Sequence, residues 1–558
     1  MQSKYRFISV GIFLALWVII LLCVLFYTQI LSHHYYRSLA NNQYTTEKVS
    51  HSVRGSIFDR HGSLLAGNHD AVSAFITPRS THNMQELKPF LKKYFKHAYD
   101  RLDGYKKSCF MYIARNLSGT QIACVKKYNS PDIYLLKEPA RFYPVEAVRN
   151  IVGSTGIDNE GLFGIEKIYN TLLSGQPACA RIQRDCHRSN YFNKDILAMG
   201  CRGSDITLTI DNDVQYKAFE LVRAAVEGCN AAEGAAIIAD PFTGDIIAMV
   251  QFPTCDVSCD TFDFHKTRNI CVSDAYECGS IIKPFCALAA IDAGIIDKQT
   301  PIDCHNTIKG YIYGRPLTTV TPLGIVTLQE VIAQSNNFGM VQLGHQLGKR
   351  LWDYYTACGF GSKTGIDVLS EQPGYITPPR LWSGVTAHSL SFGYEIRVTL
   401  LQLARAFCLF PLNGYLPTMR LVIDTAQQQN NIPSKKTNTQ PQQKPITQKP
   451  VFNKKAIDTM RDILQHTVEE GSGKRAAING YQVIGKTGTA EIATAHGYDK
   501  SRLIVWFGGV VQKGHYARVI TIFIKEPKGK NAFGSTIAAP LFRNIAHYLI
   551  AHDRVITG

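Results

Sequence analysis

"YECGSIIKPF", residues 276–285, sets a serine three places ahead of a lysine, with a glycine before the one and a proline after the other. Alone, Ser-x-x-Lys decides nothing, because about two such matches arise by chance in a chain this long. A lone match is most often a helix-capping hydroxyl followed by a solvated charge. The stretch gains its meaning from two others that follow in order: Ser335-x-Asn337 in "QSNNFG" and Lys486-Thr487-Gly488-Thr489 in "VIGKTGTAEI".

Chemistry asks for each part. A serine hydroxyl is a poor nucleophile near neutral pH and needs an adjacent base. Three residues along a helix, Lys283 shares a face with Ser280. A lysine serves as that base only if its pKa is lowered, which burial and a nearby cation both do. Ile281, Ile282 and Phe285 offer an apolar collar, and Lys486 offers the cation. The helix N-terminus adds N–H groups where an oxyanion would form. Ser335 and Asn337 stand two apart, so a turn must aim both inward, the hydroxyl to relay a proton and the amide to hold a substrate backbone. On its own "SNN" is a commonplace turn. Lys-Thr-Gly occurs twice. At Lys363 it lies in the Gly-rich "GFGSKTG" and reads as a loop charge. At Lys486 it leaves a β-branched run, as an edge strand lining a cleft would. There Gly488 would let substrate approach the backbone, and Thr489 would offer a donor to a carboxylate or oxyanion.

The 558 residues exceed one domain, and their net charge of +16 suits an anionic surface or merely a solvated basic exterior. "LKKYFK" and "CVKKY" are too short and isolated to mark a nucleic-acid partner. The run "FISVGIFLALWVIILLCVLFYTQIL", residues 7–31, is uncharged and long enough to span a bilayer. Lys4 and Arg6 before it favour a cytoplasmic tail of residues 1–6 and an exported remainder. No small-x-small cleavage site follows, so an uncleaved single-pass anchor is expected. Export permits disulfides, and Cys179/Cys186 and Cys255/Cys259 could close small loops; buried free thiols are the equal alternative. The 15 cysteines are scattered, so no metal is expected.

Residues 32–203 read as a polar stalk and a mixed non-catalytic pedestal, with a hairpin in "RGSIFDRHGSLLA" turning at His61-Gly62. From 204 to 558 a strand and amphipathic helix, a Pro-x-Thr-Gly hairpin, a helical middle, two late strands and a closing helix predict an α+β domain. Its antiparallel sheet would be flanked by helices. A Gln/Pro/Lys-rich segment at about 425–450 reads as a disordered polar insertion.

The three motifs in this order resemble penicillin-binding proteins, and the rest of the chain extends the likeness. "RGSIFDRHGSLLA" is similar to the signature that opens the non-catalytic domain of class B members. "RFYPVEAVRNIVGSTGIDNEGLFGIEKIYNTLLSG" resembles that domain's later Gly-x-Glu segment, and "LTIDNDVQ", "DPFTGDIIAM", "SFGYEIRVTLLQLARAF" and "KTGTAE" resemble catalytic landmarks. "RFYP" and the surroundings of "SFGYE" lean toward septal, cell-division members rather than elongation members.

The resemblance implies an inner-membrane peptidoglycan D,D-transpeptidase with its catalytic domain in the periplasm, without metal or cofactor. Ser280 would attack a stem peptide, with Lys283 as base, Ser335 and Asn337 in proton relay and positioning, and Lys486 and Thr489 holding the carboxylate. Thr487 and Gly488 would complete the substrate-binding strand, and backbone N–H groups of Ser280 and Thr489 the oxyanion hole. β-Lactams would acylate Ser280 as substrate mimics. Implied partners are nascent peptidoglycan, a polytopic glycosyltransferase and other divisome proteins. Two departures stand out: Cys278 replaces the usual proline two before the nucleophile, and Ile281-Ile282 replaces Thr-Phe. An elongation role, a non-catalytic penicillin-binding scaffold and a hydrolase are the competing readings.

Overall fold

The computed structural model describes residues 2–50, 52–105, 108, 110–184, 191–255, 264–425, 449–494, 497–529 and 531–555. They form two compact units, one of residues 1–54 with 174–203 and the other of 55–173 with 204–558. Residues 55–173, read from sequence as part of the pedestal, thus share a unit with 204–558. Cys186, Cys259 and most of the polar insertion, residues 426–448, lie outside the described residues.

In the smaller unit a helix, Gln2–Phe26, runs on as a wider π turn, Tyr27–Leu31. The span Lys4–Leu31 has a mean hydropathy of 3.0, and none of its most apolar window is covered by protein. Its 28 residues, at ~1.5 Å each, exceed a hydrocarbon core of about 30 Å. Among the described residues it is the one helix long and apolar enough to cross a membrane. The helix His33–Tyr44 follows, and Thr45–Ser50, Ala178–Arg184 and Tyr191–Ala198 pair as a three-stranded antiparallel sheet.

The larger unit opens with the expected hairpin: Ile57–Phe58 pairs antiparallel with Leu64–Ile76. Its turn is held by Asp59, whose Oδ1 accepts from the N–H groups of His61 (2.9 Å) and Ser63 (2.6 Å), while Gly62 takes the φ of +85° that a side chain would resist. Leu64–Ile76 then pairs with Ile133–Phe142 and Met111–Ala114. Behind this sheet Arg141 Nε donates to Glu166 Oε1 at 2.6 Å, with both side chains at most 2% exposed. Arg141 also donates to the Gly55 carbonyl at 2.7 Å. Removing one partner strands a buried charge, so Glu166→Ala is expected to destabilise this region by about 3–5 kcal/mol. The shift of the first unfolding transition in urea measures it.

The central sheet of the larger unit comprises β1 (Glu233–Ala239), β2 (Ile246–Phe252), β3 (Gln482–Thr494), β4 (Gly497–Lys513) and β5 (Tyr516–Lys525). Their order is β2-β1-β5-β4-β3, antiparallel throughout, which leaves β3 at an edge. Alternate residues face opposite sides. Ala235 and Ile237 join one core while Ala236 and Ile238 join another, so the strands are apolar on both faces and read as unbroken hydrophobic runs.

The helices supply both covers. On one face lie α1 (Asn212–Gly228), through Val214, Ala218, Val222 and Val226, and the closing α7 (Ala538–His552), through Phe542, Ile545 and Leu549. The opposite core takes in α2 (Lys283–Asp292), α3 (Leu328–Ala333), α4 (Asn337–Leu347), α5 (Leu400–Phe407) and α6 (Lys454–Glu469). The class is α+β.

Candidate active site

Ser280 does not begin a regular α-helix. It lies in a 3-10 turn, Gly279–Ile282, which feeds directly into α2 at Lys283. Lys283 stands one tight turn beyond Ser280, at the first position of α2. Ser280 borders a cleft of about 570 Å³ that Thr319, Ser335, Asn337, Thr487, Gly488 and Thr489 also line.

The turn is seated by close backbone approaches. Gly279 has φ +54°, and a Cβ there would stand 2.4 Å from the Thr489 carbonyl oxygen. Its N–H donates to the Gly393 carbonyl at 3.2 Å, in the stretch "SFGYE". Across the gap, a Cβ on Gly488 would meet the Cys278 carbonyl at 2.8 Å and Ile281 Cβ at 3.0 Å. Gly488 thus has a further reason to lack a side chain: besides lining the cleft, its bare backbone admits the Ser280 turn. Gly488→Val is expected to push the turn away and slow acylation roughly 100-fold, since a displacement near 1 Å costs that much. The rate of labelled-penicillin attachment checks this.

Beneath the cleft two lysines converge on one hydroxyl. Lys283, with no solvent exposure, donates through Nζ to Asn337 Oδ1 at 2.6 Å, to the Ser335 carbonyl at 2.7 Å and to Ser335 Oγ at 3.2 Å. Lys486, also without exposure, donates to Ser335 Oγ at 2.9 Å and to the Thr487 carbonyl at 3.1 Å. Burial, and secondarily the charge of Lys486, hold the Lys283 ammonium well below its usual range. Burial alone brings Lys486 down to about 7. A neutral amine is therefore accessible near neutral pH. Removing the Lys486 charge removes the second cause acting on Lys283, so Lys486→Met is expected to move the acid limb of the acylation profile to higher pH. Stopped-flow acylation across pH reads the shift.

Ser335 bridges α3 and α4 with φ +58°, a left-handed conformation uncommon outside glycine that clusters at functional sites. The sequence foresaw the break but not its device: Asn336, fully buried, caps α4 by accepting from Gly339 N–H at 3.1 Å. Asn337 is tied at both ends, because its Nδ2 donates to the Thr318 carbonyl at 2.7 Å. One amide N–H remains for a substrate, fewer than the sequence suggested. Thr489 Oγ1 accepts from Gly534 N–H at 3.3 Å. Lys363 is exposed in a loop, as expected.

Several contributors carried no motif. Ser472, whose Oγ accepts from Thr487 Oγ1 at 3.1 Å, sits after α6 in "EEGSG". Thr318 and Thr319 reach the cleft from the strand at 315–318 and its continuation. Only their small polar character marked them. Cys278 is wholly buried, and burial pushes its thiol far up, so it is a neutral packing group.

Residues 234–547 match the family described as penicillin binding protein transpeptidase domain, and residues 49–208 match the penicillin-binding protein dimerisation domain. The chain is 26% identical over 569 residues to the peptidoglycan D,D-transpeptidase FtsI of Buchnera aphidicola from Schizaphis graminum, covering 99% of this chain and 96% of that one. It is 26% identical over 511 residues to FtsI of Escherichia coli K12, covering 89% and 83%. Its fold matches a crystal structure of penicillin binding protein 3 from Mycobacterium tuberculosis complexed with aztreonam, with TM-score 0.67, 23% identity and coverage of 92% and 98%.

Proposed function

We infer that this chain, which belongs to the penicillin-binding-protein transpeptidase family, is a serine-type peptidoglycan D,D-transpeptidase acting in septal cell-wall synthesis. The observation that carries the reaction is the pair of unexposed lysines meeting on Ser335 Oγ beside the Ser280 turn. The septal role is supported by the relatives named FtsI and by the "RFYP" and "SFGYE" stretches.

Ser280 Oγ attacks the carbonyl carbon of the penultimate D-Ala of a donor stem peptide while its proton passes to neutral Lys283. The negative oxygen that forms is stabilised by backbone N–H groups of Ser280 and of Thr489 on β3. Collapse breaks the C–N bond, and the leaving D-Ala amine takes a proton through Ser335. An acceptor stem-peptide amine then attacks the ester, its proton returns through Lys283, and Ser280 regains its own. Lys486 and Thr489 orient the donor's carboxylate. A β-lactam enters by the same first step and stays as an ester.

The N-terminal span, long and apolar enough to cross a membrane, supports a single-pass membrane protein. Lys4 and Arg6 support a cytoplasmic tail and a periplasmic catalytic unit. Nascent glycan strands, a polytopic glycosyltransferase and other divisome proteins are the partners that this placement supports.

The test is intact mass after penicillin, with the adduct mapped to a peptide, followed by product analysis of a stem pentapeptide with and without an acceptor amine. One adduct on the peptide holding Ser280 and an amide-linked product are expected. Free tetrapeptide alone, unaffected by the acceptor, would instead establish a hydrolase.

A further inference from the structure

A group of metal-ligating side chains lies on residues that take no part in the catalytic cleft. Asp211 caps α1: its Oδ1 accepts from the N–H groups of Asp213 and Val214, each at 3.1 Å, which leaves Oδ2. Two imidazoles converge on that oxygen. His61, at the hairpin turn, brings Nε2 to 3.1 Å, and His552, the last residue of α7, brings Nε2 to 3.7 Å. Ligand atoms of Asp211, Asp213 and His552 all lie within 4.8 Å of one another.

The second of these rings is oriented from behind. His552 Nδ1 stands 3.0 Å from Asp553 Oδ1, and Asp553 is itself held by Arg518 at 3.0 Å. Donation from Nδ1 to that carboxylate turns Nε2 toward Asp211 Oδ2 at 3.7 Å, where the neutral ring would present a lone pair to a cation.

Carboxylate oxygens and imidazole nitrogens suit zinc and its neighbours, and zinc takes four such donors tetrahedrally at about 2.0–2.2 Å. A tetrahedron of that size has edges of roughly 3.3 Å, which the observed 3.1 and 3.7 Å separations bracket. We propose that Asp211, Asp213 and His552, with His61 as fourth donor, bind a divalent transition-metal ion that ties the hairpin turn to the start of α1 and the end of α7. The sequence reading sought zinc among cysteines and expected none. These donors come from three segments hundreds of residues apart, so no spacing could reveal them.

The test uses the full chain in detergent, stripped with a chelator and titrated with Zn²⁺ alone, read by equilibrium dialysis with elemental analysis and by thermal unfolding. The wild type is expected to hold one more equivalent than the Asp213→Asn/His552→Gln variant, which should bind that equivalent at least tenfold more weakly. The wild-type melting midpoint should rise by several degrees with Zn²⁺, and the variant's should not. A cooperative melt without metal shows that the variant is folded; Asp213 is exposed, so Asp213→Asn alone serves if the double variant is not. Equal uptake and equal melting shifts in wild type and variant, or no uptake by wild type, would overturn the proposal.

Discussion

Replacing Ser280 by alanine is expected to abolish the penicillin adduct and the cross-linked product together. The turn gives the reason for expecting a complete loss. Ser280 is the one hydroxyl of Gly279–Ile282, and Cys278 and Ile281 beside it are fully buried, the former with its thiol held neutral. No neighbour can take over the attack. Because Ser280 is partly exposed, alanine should leave stability within about 0.5 kcal/mol. Intact mass after penicillin, with an unchanged melting midpoint, checks both halves. A surviving adduct would move the nucleophile elsewhere, and Ser335 would then be the residue to examine.

Lys283→Met is expected to lower acylation by about 10²–10⁴-fold, the usual contribution of a positioned general base. Methionine keeps an apolar stem at this fully buried position but offers no proton acceptor. A second readout separates this from mere structural damage. The folded-state pKa of Lys283 is depressed by burial and by Lys486, so the unfolded chain binds more protons between that lowered value and the ordinary 10.5. Stability therefore rises with pH across that window, and Lys486 adds its share between about 7 and 10.5. Lys283→Met removes one of the two contributions and should flatten the slope. Urea unfolding at pH 8 and pH 10 measures it, and an unchanged slope would mean that Lys283 titrates normally in the fold.

The chemistry of the site was legible because its signals are local. Ser280 and Lys283 are three residues apart, the break at Ser335 interrupts a helical pattern, and a β-branched run leads into Lys486. Such features depend on backbone periodicity, which sequence reports directly. So do the membrane span, the two hairpins and the α+β class. What the sequence left out were the neighbours: Gly488 also admits the turn of Cys278 and Ile281, and one N–H of Asn337 is taken by the Thr318 carbonyl. Ser472 went unmarked because serines in loops are too common to stand out.

Sequence by itself determined which residue types were available, their local spacing and the strands and helices that carry them. Only the tertiary structure decided that Lys283 and Lys486 share one hydroxyl, that the nucleophile's turn rests on an edge strand, and that two aspartates and two histidines gather around one oxygen. Periodicity fixes where a side chain points from its own element. Distances between elements are set by how β1 to β5 and their covering helices pack, a property of the whole core that no single stretch encodes.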